Sequence, residues 1–241
     1  MTTTALNRPA MNVRNLSAPQ ISTLKALLFL LCLMPAGLLV KGFFDDALGA
    51  NPIEAITHAT GDWTLRFLLI TLAVTPLRKL THWHWLIRLR RMLGLYTFFY
   101  ALLHFLTYVV LDQFFDGAAI VLDVLKRPYI TVGFSAFVLL IPLAVTSTNA
   151  MVRRLGGRRW QALHRSVYGI AILGVMHYWW LVKSDLTQPI LYGLVLAALL
   201  GFRVWWRNEE RKAQLAGKFG MEGPPGVKIN QRIIPIKSQT P

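Results

Sequence analysis

Long apolar runs separated by short polar loops make up most of the chain. An α-helix needs about 20 mostly apolar residues to cross the hydrocarbon core of a bilayer, and six runs qualify. They are residues 24–43, 63–80, 92–114, 128–148, 160–182 and 188–206. Pro35, Pro142 and the glycines inside the runs are compatible with membrane helices, since neighbouring helices satisfy the backbone groups that they free. The pattern predicts an all-α membrane protein with six transmembrane helices.

The composition agrees, because 54% of the residues are hydrophobic and only 15% are charged, a balance unlike that of soluble domains. Residues 1–22 lack the charged start, apolar core and cleavage site of a signal peptide, so we expect the first run to act as an uncleaved signal. Residues 207–241 are basic and contain Pro224 and Pro225, which is typical of a flexible tail near anionic lipid. The predicted organisation is a cytoplasmic tail (1–22), a six-helix domain (23–206) and a basic cytoplasmic tail (207–241).

Basic and acidic side chains occupy alternate loops, and Lys and Arg collect on the cytoplasmic side of short loops. The basic loops carry Arg78, Lys79, Arg88, Arg90, Arg91, Arg153, Arg154, Arg158, Arg159 and Arg165. The opposite loops carry Asp45, Asp46, Glu54, Asp62, Asp112, Asp116, Asp123 and Asp185, against Lys41, Lys126, Arg127 and Lys183. Both termini are then cytoplasmic, as six spans require. The net charge of +15 therefore indicates topology, and its scatter over separate loops disfavours nucleic-acid binding.

Three of the six histidines lie near predicted membrane surfaces. His82 and His84 belong to the basic loop THWHWLIRLRR, where tryptophans anchor the interface and further metal ligands are missing. His58 follows Asn51 and Pro52, which predict the cap and first turn of a short surface helix. We assign no ligand role to these three histidines.

The other three, His104, His164 and His177, lie inside predicted spans, where ionisable groups are costly and usually face the bundle interior for a functional reason. A hydrogen bond to a neighbouring helix is the structural alternative for any one of them. Neutral imidazole is a good axial ligand for haem iron, and a four-helix core is a common place for the porphyrin. The single cysteine, Cys32, excludes an intrachain disulfide and a cysteine-ligated cluster, and a packing role is expected for it.

The depth of each histidine indicates which of them share a site. At about 1.5 Å per residue, His104 lies about 20 Å beyond Arg91, His177 about 27 Å beyond Arg159, and His164 about 8 Å beyond Arg159. His104 and His177 are therefore predicted to clamp one haem from facing helices in the outer half of the membrane. His164 lies about 20 Å from His177 along one helix, which suits a second, inner site.

Several motifs carry a resemblance to a known family. They are NPIEAITHATGDWTLRFLLITLAVTPLRKL at 51–80, RRMLGLYTFFYALLHFLTY at 90–108 and LAVTSTNAMVRRLGGRRWQALHRSVYGIAILGVMHYWW at 143–180. In this order they resemble the MsrQ (YedZ) family, over roughly residues 20–205, with the three membrane histidines at matching places. That family in turn resembles the transmembrane part of ferric reductases and NADPH oxidases.

The resemblance implies a b-type cytochrome of the bacterial inner membrane, with His104, His164 and His177 linked to one or two haems. Electrons would pass from the quinone pool or a cytoplasmic flavin reductase to MsrP, a periplasmic molybdopterin enzyme that repairs methionine sulfoxide in oxidised proteins. The resemblance also implies FMN, although the sequence contains no flavin motif that we recognise. The chain would then be an electron-transfer subunit without a substrate-converting site, in agreement with the lack of a recognisable nucleophile, carboxylate pair or phosphate-binding loop.

The sequence departs from the wider superfamily at one ligand position. Members usually carry two histidines thirteen residues apart on each of two helices, but Arg91 stands thirteen residues before His104, with Arg90 beside it. An arginine is a good carboxylate partner, so we expect Arg90 or Arg91 to pair with propionates of an inner haem whose second ligand stays open. Arg66 has two readings, a side chain that reaches the headgroups or a partner of an outer haem propionate.

Two alternatives stay open. One is a stand-alone transmembrane haem reductase acting on ferric ions or quinones, which would keep its redox activity without a periplasmic partner. The other is a non-redox membrane protein, such as a transporter, whose histidines bind a proton or a metal ion.

Overall fold

The computed structural model describes residues 16–182 and 185–218, and every regular element in this part of the chain is helical. The α-helices are α1 (Ala18–Phe44), α2 (Pro52–Thr81), α3 (Arg90–Leu106), α4 (Gly117–Lys126), α5 (Pro128–Val145), α6 (Asn149–Leu155), α7 (Gly157–His164), α8 (Val167–Leu181) and α9 (Thr187–Lys218). A 3₁₀ helix (His84–Arg88) precedes α3, and a π-helix (Thr107–Asp112) extends it. The all-α fold class is confirmed.

Four segments among the described residues have the length and composition of a membrane span: Ala18–Phe44, Arg90–Asp112, Pro128–Val145 and Thr187–Ala216. The helix α2 is long enough, but Asp62 and Arg66 reduce the hydropathy of its central part. The helix α8 has 15 residues, fewer than the about 20 that a perpendicular crossing needs. Six spans therefore stay a prediction.

Four helices pack in a closed ring. The helix α2 packs against α3 and α5 against α8, while α3 also contacts α5 and α2 also contacts α8. Each of the four thus has two neighbours in the ring and turns one side toward a common interior. Cofactor sites are commonly built in four-helix cores of this kind.

The helix α1 is attached to this core through tyrosine hydroxyls of α3. Tyr100 is fully buried, donates to the Cys32 carbonyl at 2.8 Å and accepts from the Ala36 backbone N–H at 3.1 Å. Cys32 and Ala36 are four residues apart, so the Tyr100 hydroxyl lies between two backbone groups that normally bond each other in a helix. Such an insertion interrupts the helix hydrogen-bond ladder, here beside Pro35. Cys32 is itself a buried free thiol, as the packing role predicted.

The second helix begins earlier than the apolar pattern indicated. Asn51 accepts from the Glu54 backbone N–H, and Pro52 occupies the first turn, so the predicted cap is confirmed. The expected short surface helix around His58 is wrong, because the helix continues without a break through Gly61 to Thr81. His58 and the apolar run therefore belong to one rigid element.

The fifth predicted run, 160–182, is divided into two helices. The last turn of α7 and the first turn of α8 meet at Arg165 and Ser166, where N–H groups bond carbonyls three residues back. The Ser166 hydroxyl also donates to the Leu163 carbonyl, a side-chain bond of the kind that bends helices. The expectation of one straight helix carrying both His164 and His177 is therefore wrong.

Two features lie outside the predicted spans. The helix α4, too short to cross a bilayer, turns apolar side chains such as Val121 and Leu125 outward, whereas Asp123 accepts from the Tyr108 hydroxyl on its inner side. The helix α9 continues past residue 206 to Lys218, so the predicted C-terminal tail begins as a helix. Residues 1–15 and 219–241, which hold most of both predicted tails, lie outside the described residues.

The chain forms two compact units, divided between Ala197 and Ala198 within α9. The histidines, the helix ring and its interior belong to the first unit. In the second unit, the rings of Phe202, Trp205 and Trp206 contact one another along one stretch of α9.

Candidate cofactor site

A cavity of about 660 Å³ occupies the interior of the helix ring at the end that carries the acidic loops. This volume lies within the range of small-molecule and cofactor sites, roughly 300–1,000 Å³. Its walls are mainly apolar and include Leu65, Leu68, Ala101, Phe105, Phe137 and Ile170, one or more from each ring helix. Asn51, Glu54, Asp112 and Arg127 surround its polar end.

The cavity brings His104 and His177 together. Their ring centroids are 6.1 Å apart and the ring planes make an angle of 78°, so the proximity predicted from depth is confirmed. A point midway lies about 3.05 Å, half of 6.1 Å, from each centroid. Imidazole nitrogens bind metals such as zinc at about 2.0–2.1 Å, and a ring nitrogen lies about 1 Å from the centre of its ring. The sum of these two distances is about the 3.05 Å from each centroid to the midpoint, so the spacing of the rings suits one metal atom between them.

Each of the two rings uses Nδ1 for a backbone hydrogen bond. Nδ1 of His104 lies 2.9 Å from the Thr57 carbonyl oxygen on α2, and Nδ1 of His177 lies 2.7 Å from the Tyr129 carbonyl oxygen on α5. A carbonyl only accepts, so Nδ1 carries the proton in both rings. In each neutral ring the lone pair of Nε2 is then available for a metal.

These residues fit haem better than a free metal ion. Among the residues that the structure describes, no group of three or more His, Cys, Asp and Glu side chains is arranged to hold an ion, and protein-bound zinc normally needs at least three protein ligands. Haem iron takes its equatorial ligands from the porphyrin and needs only axial ligands from the protein. Two imidazoles in an apolar cavity meet that requirement.

The polar end of the cavity carries a cation that the sequence pattern did not single out. Arg127 Nε lies 3.2 Å from Asp123 Oδ1, and the other oxygen of this carboxylate accepts from Tyr108. The pKa of Arg127 is raised, first by its hydrogen bond with Tyr129 and then by the Asp123 carboxylate. Arg127 therefore stays charged at every physiological pH.

Arg66 lies near the cavity but turns toward α9. Its Nε donates to the Tyr192 hydroxyl at 3.0 Å, its Nη2 lies 3.5 Å from Asp62 Oδ2, and its guanidinium carbon lies 4.8 Å from the centre of a Trp63 ring. Arg66 is not among the residues that line the cavity. A role with a haem propionate stays a prediction for this residue.

His164 lies apart from the histidine pair, at the end of α7 and outside the cavity lining. Its Nε2 is 3.0 Å from Thr146 Oγ1, and its ring stacks on Trp160 with centroids 4.0 Å apart. The Thr146 hydroxyl also lies 2.6 Å from the Pro142 carbonyl, which only accepts, so the hydroxyl donates there and His164 donates Nε2–H to Thr146. His164 therefore adopts the tautomer opposite to that of the cavity pair.

The two predicted inner arginines lie at the same basic end. Arg90 is close enough to His164 for its charge to act on the ring. Arg91 donates to the Asn149 side chain at 2.9 Å. Both stay predicted partners of an inner haem, as the second ligand opposite His164 stays open.

The remaining histidines lie at the edges of the fold. His58 is exposed at the cavity wall, and His84 is exposed in the 3₁₀ helix. His82 ends α2 in a left-handed conformation, with φ of 59°. The Thr57 and Tyr129 carbonyls could not be recognised from side-chain types, because a backbone acceptor has no sequence signature of its own.

Comparisons with known proteins identify the family of the chain. Residues 60–175 match the family model described as "Ferric reductase like transmembrane component". The matched range contains His104 and His164 and ends two residues before His177. The chain is thus a membrane protein that contains a ferric reductase-like transmembrane segment. No solved structure gives a significant match.

More specific relatives are proteins named "Protein-methionine-sulfoxide reductase heme-binding subunit MsrQ". The protein of Herminiimonas arsenicoxydans is 60% identical over 81% of this chain and 90% of its own length. The protein of Azospira oryzae is 62% identical over 77% of this chain and 80% of its own length, and that of Ralstonia nicotianae is 60% identical over 74% and 83%. The chain belongs to the MsrQ family.

Proposed function

We propose that the protein is a membrane b-type cytochrome that passes electrons across the bacterial inner membrane to a periplasmic molybdopterin reductase of the MsrP type. The observation that carries this proposal is the pair His104 and His177, with rings 6.1 Å apart in a largely apolar cavity. Membership of the MsrQ family supports it, because the relatives are named heme-binding subunits of a protein-methionine-sulfoxide reductase. Haem supplies reversible one-electron exchange when bound.

The chain's own residues give this cofactor its place and its surroundings. The Thr57 and Tyr129 carbonyls hold the two imidazoles in one tautomer, which leaves Nε2 for iron and makes the ligands more basic. Leu65, Phe105 and Phe137 line the cavity and lower its polarity, which is a further control on the potential. Arg127 supplies a positive charge at the polar end, suited to a carboxylate.

A second haem on His164 is an additional part of the proposal. Iron binding through Nε2 would require this ring to exchange its hydrogen bond to Thr146 for the metal. Arg90 nearby is suited to a propionate. This site would lie at the basic end of the bundle, which the loop charges assign to the cytoplasmic side.

The proposed topology has six spans with both termini in the cytoplasm. In this topology, α2 and the α7–α8 pair are the two spans added to the four apolar candidates. The cavity of the histidine pair then opens toward the periplasm. Fusions of alkaline phosphatase and green fluorescent protein to the loops at Asp46, Asp116 and Asp185, and to those at His84 and Gly156, test this. Phosphatase activity at the first three and fluorescence at the other two are expected.

Electron transfer is tested with the purified protein in detergent. Haem is quantified per chain, and the protein is reduced with stoichiometric dithionite under anaerobic conditions. Reoxidation of a b-type spectrum on addition of MsrP with a methionine sulfoxide substrate supports the proposal, whereas fast reoxidation by ferric citrate or quinone alone favours the stand-alone reductase.

Reduction by a quinol or by a flavin reductase with NADH then identifies the donor. The fluorescence of flavin released by acid measures FMN, which the family resemblance implies.

A further inference from the structure

The ring of His177 lies directly over Gly133 of α5. A Cβ atom added to Gly133 would lie 2.7 Å from Nδ1, 2.8 Å from Cε1 and 3.0 Å from Cγ of this ring. Nonbonded carbon atoms prefer separations of about 3.5–4.0 Å, so a methyl group and the ring exclude each other from these positions. The hydrogen bond from Nδ1 to the Tyr129 carbonyl therefore depends on the lack of a side chain at Gly133.

The same arrangement recurs on α2. A Cβ atom added to Gly61 would lie 3.2 Å from both Cε1 and Nδ1 of His104, while Nδ1 bonds the Thr57 carbonyl at 2.9 Å. The separation of 3.2 Å at Gly61 is tighter than ordinary contact but longer than the 2.7 Å at Gly133. A methyl group at Gly61 would displace the imidazole by a smaller amount.

Helix geometry explains why the two turns are alike. Thr57 precedes Gly61 by four residues, and Tyr129 precedes Gly133 by four. Residues four apart lie on the same face of a helix, and each Cα–Cβ bond tilts toward the N-terminus, so the later side chain covers the earlier carbonyl. A carbonyl oxygen has two lone pairs, and a glycine leaves the second of them open to a donor from outside the helix.

We propose that Gly61 and Gly133 are positioning residues that let each cavity imidazole donate Nδ1–H to a helix carbonyl while Nε2 binds haem iron. The inference rests on the proposed function, because it assumes iron between the two rings. A hydrogen bond from Nδ1–H makes the ligand more basic, and a more basic ligand favours ferric iron and lowers the reduction potential. Displacing either ring should therefore weaken binding or raise the potential.

The test compares three single alanine variants in purified, detergent-solubilised protein. Gly133→Ala is expected to lose at least half of the haem, because its methyl group overlaps the ring. Gly61→Ala is expected to keep haem with a higher midpoint potential. Gly169→Ala is the matched control on α8, where an added Cβ meets no atom within 4 Å. Alanine is the better helix former, so helix propensity alone predicts no loss in any of the three.

The readouts are haem per chain, redox titration and the low-temperature electron paramagnetic resonance of the ferric protein, with size exclusion and circular dichroism as checks of folding. If Gly133→Ala does not fold, Gly61→Ala decides through its potential and resonance. If the wild type contains haem and both glycine variants match Gly169→Ala in all three readouts, this inference alone is overturned. A well-folded wild type without haem, expressed with ample haem supply, refutes the proposed function as well.

Discussion

Alanine at His104 or at His177 is expected to remove the same haem, and alanine at both positions no more than either alone. The reason is the separation of 6.1 Å between the ring centroids, which leaves room for one metal atom between the rings. Each single variant should therefore lose one equivalent of haem per chain. The double variant should also lose one equivalent, since one iron serves both rings.

The expected size of the effect follows from the two interactions that each ring makes. Substitution of a group that only orients a metal ligand typically lowers metal affinity 10–100-fold. Alanine at His104 removes the ligand itself together with its hydrogen bond to the Thr57 carbonyl. We therefore expect affinity for haem to fall by more than about 100-fold, enough for the shared haem to be lost during purification.

The assay is pyridine haemochrome quantification per chain, with a dithionite-reduced minus air-oxidised spectrum of each variant. His84→Ala is the control, because this histidine is exposed in the loop after α2. Single variants that lose spectrally different haems, or a double variant that loses two equivalents where each single loses one, would refute the shared site.

Three further changes test neighbouring features. His164→Ala should retain the haem of the cavity pair, as measured by the same difference spectrum, and loss of all haem from well-folded protein would contradict separate sites. Tyr100→Phe removes a hydroxyl that bonds two backbone groups of α1, and it should lower the free energy of unfolding by about 1–3 kcal/mol in reversible SDS titration. Tyr96→Phe loses one such bond and should lower it by less. Equal values for the two variants would contradict this account. Asn51→Ala removes the α2 cap and should cost about 0.5–2 kcal/mol in the same titration, whereas no change would show that the cap is dispensable.

Periodicity and length predicted the helices where the apolar pattern was strong. The first, third, fourth and sixth runs each coincide with a candidate span. The second and fifth runs did not, because Asp62 and Arg66 lower the hydropathy of α2 and the fifth run is divided between two short helices. In α2 the polar start, from Asn51 to Asp62, joins the apolar part in one helix. No proline interrupts the apolar stretch of the fifth run. It is nevertheless divided into two helices, at the place where the Ser166 hydroxyl makes a local hydrogen bond.

The candidate site was predictable in part. Ionisable residues inside apolar runs are rare, so His104, His164 and His177 could be recognised from sequence alone. Depth along the helices then indicated which two lie together, because rise per residue is nearly constant. The backbone partners of these histidines could not be predicted, since every residue has a carbonyl and only packing determines which one a ring reaches.

The sequence by itself determined that this is an all-helical membrane protein with three histidines in apolar surroundings, because hydropathy and residue type are local properties of the chain. Only the tertiary structure decided how these histidines differ. It placed His104 and His177 across one cavity with Nδ1 on helix carbonyls, and it placed His164 against Thr146 with Nε2 occupied. The proton on an imidazole goes to whichever nitrogen faces an acceptor, and that depends on which helix lies alongside.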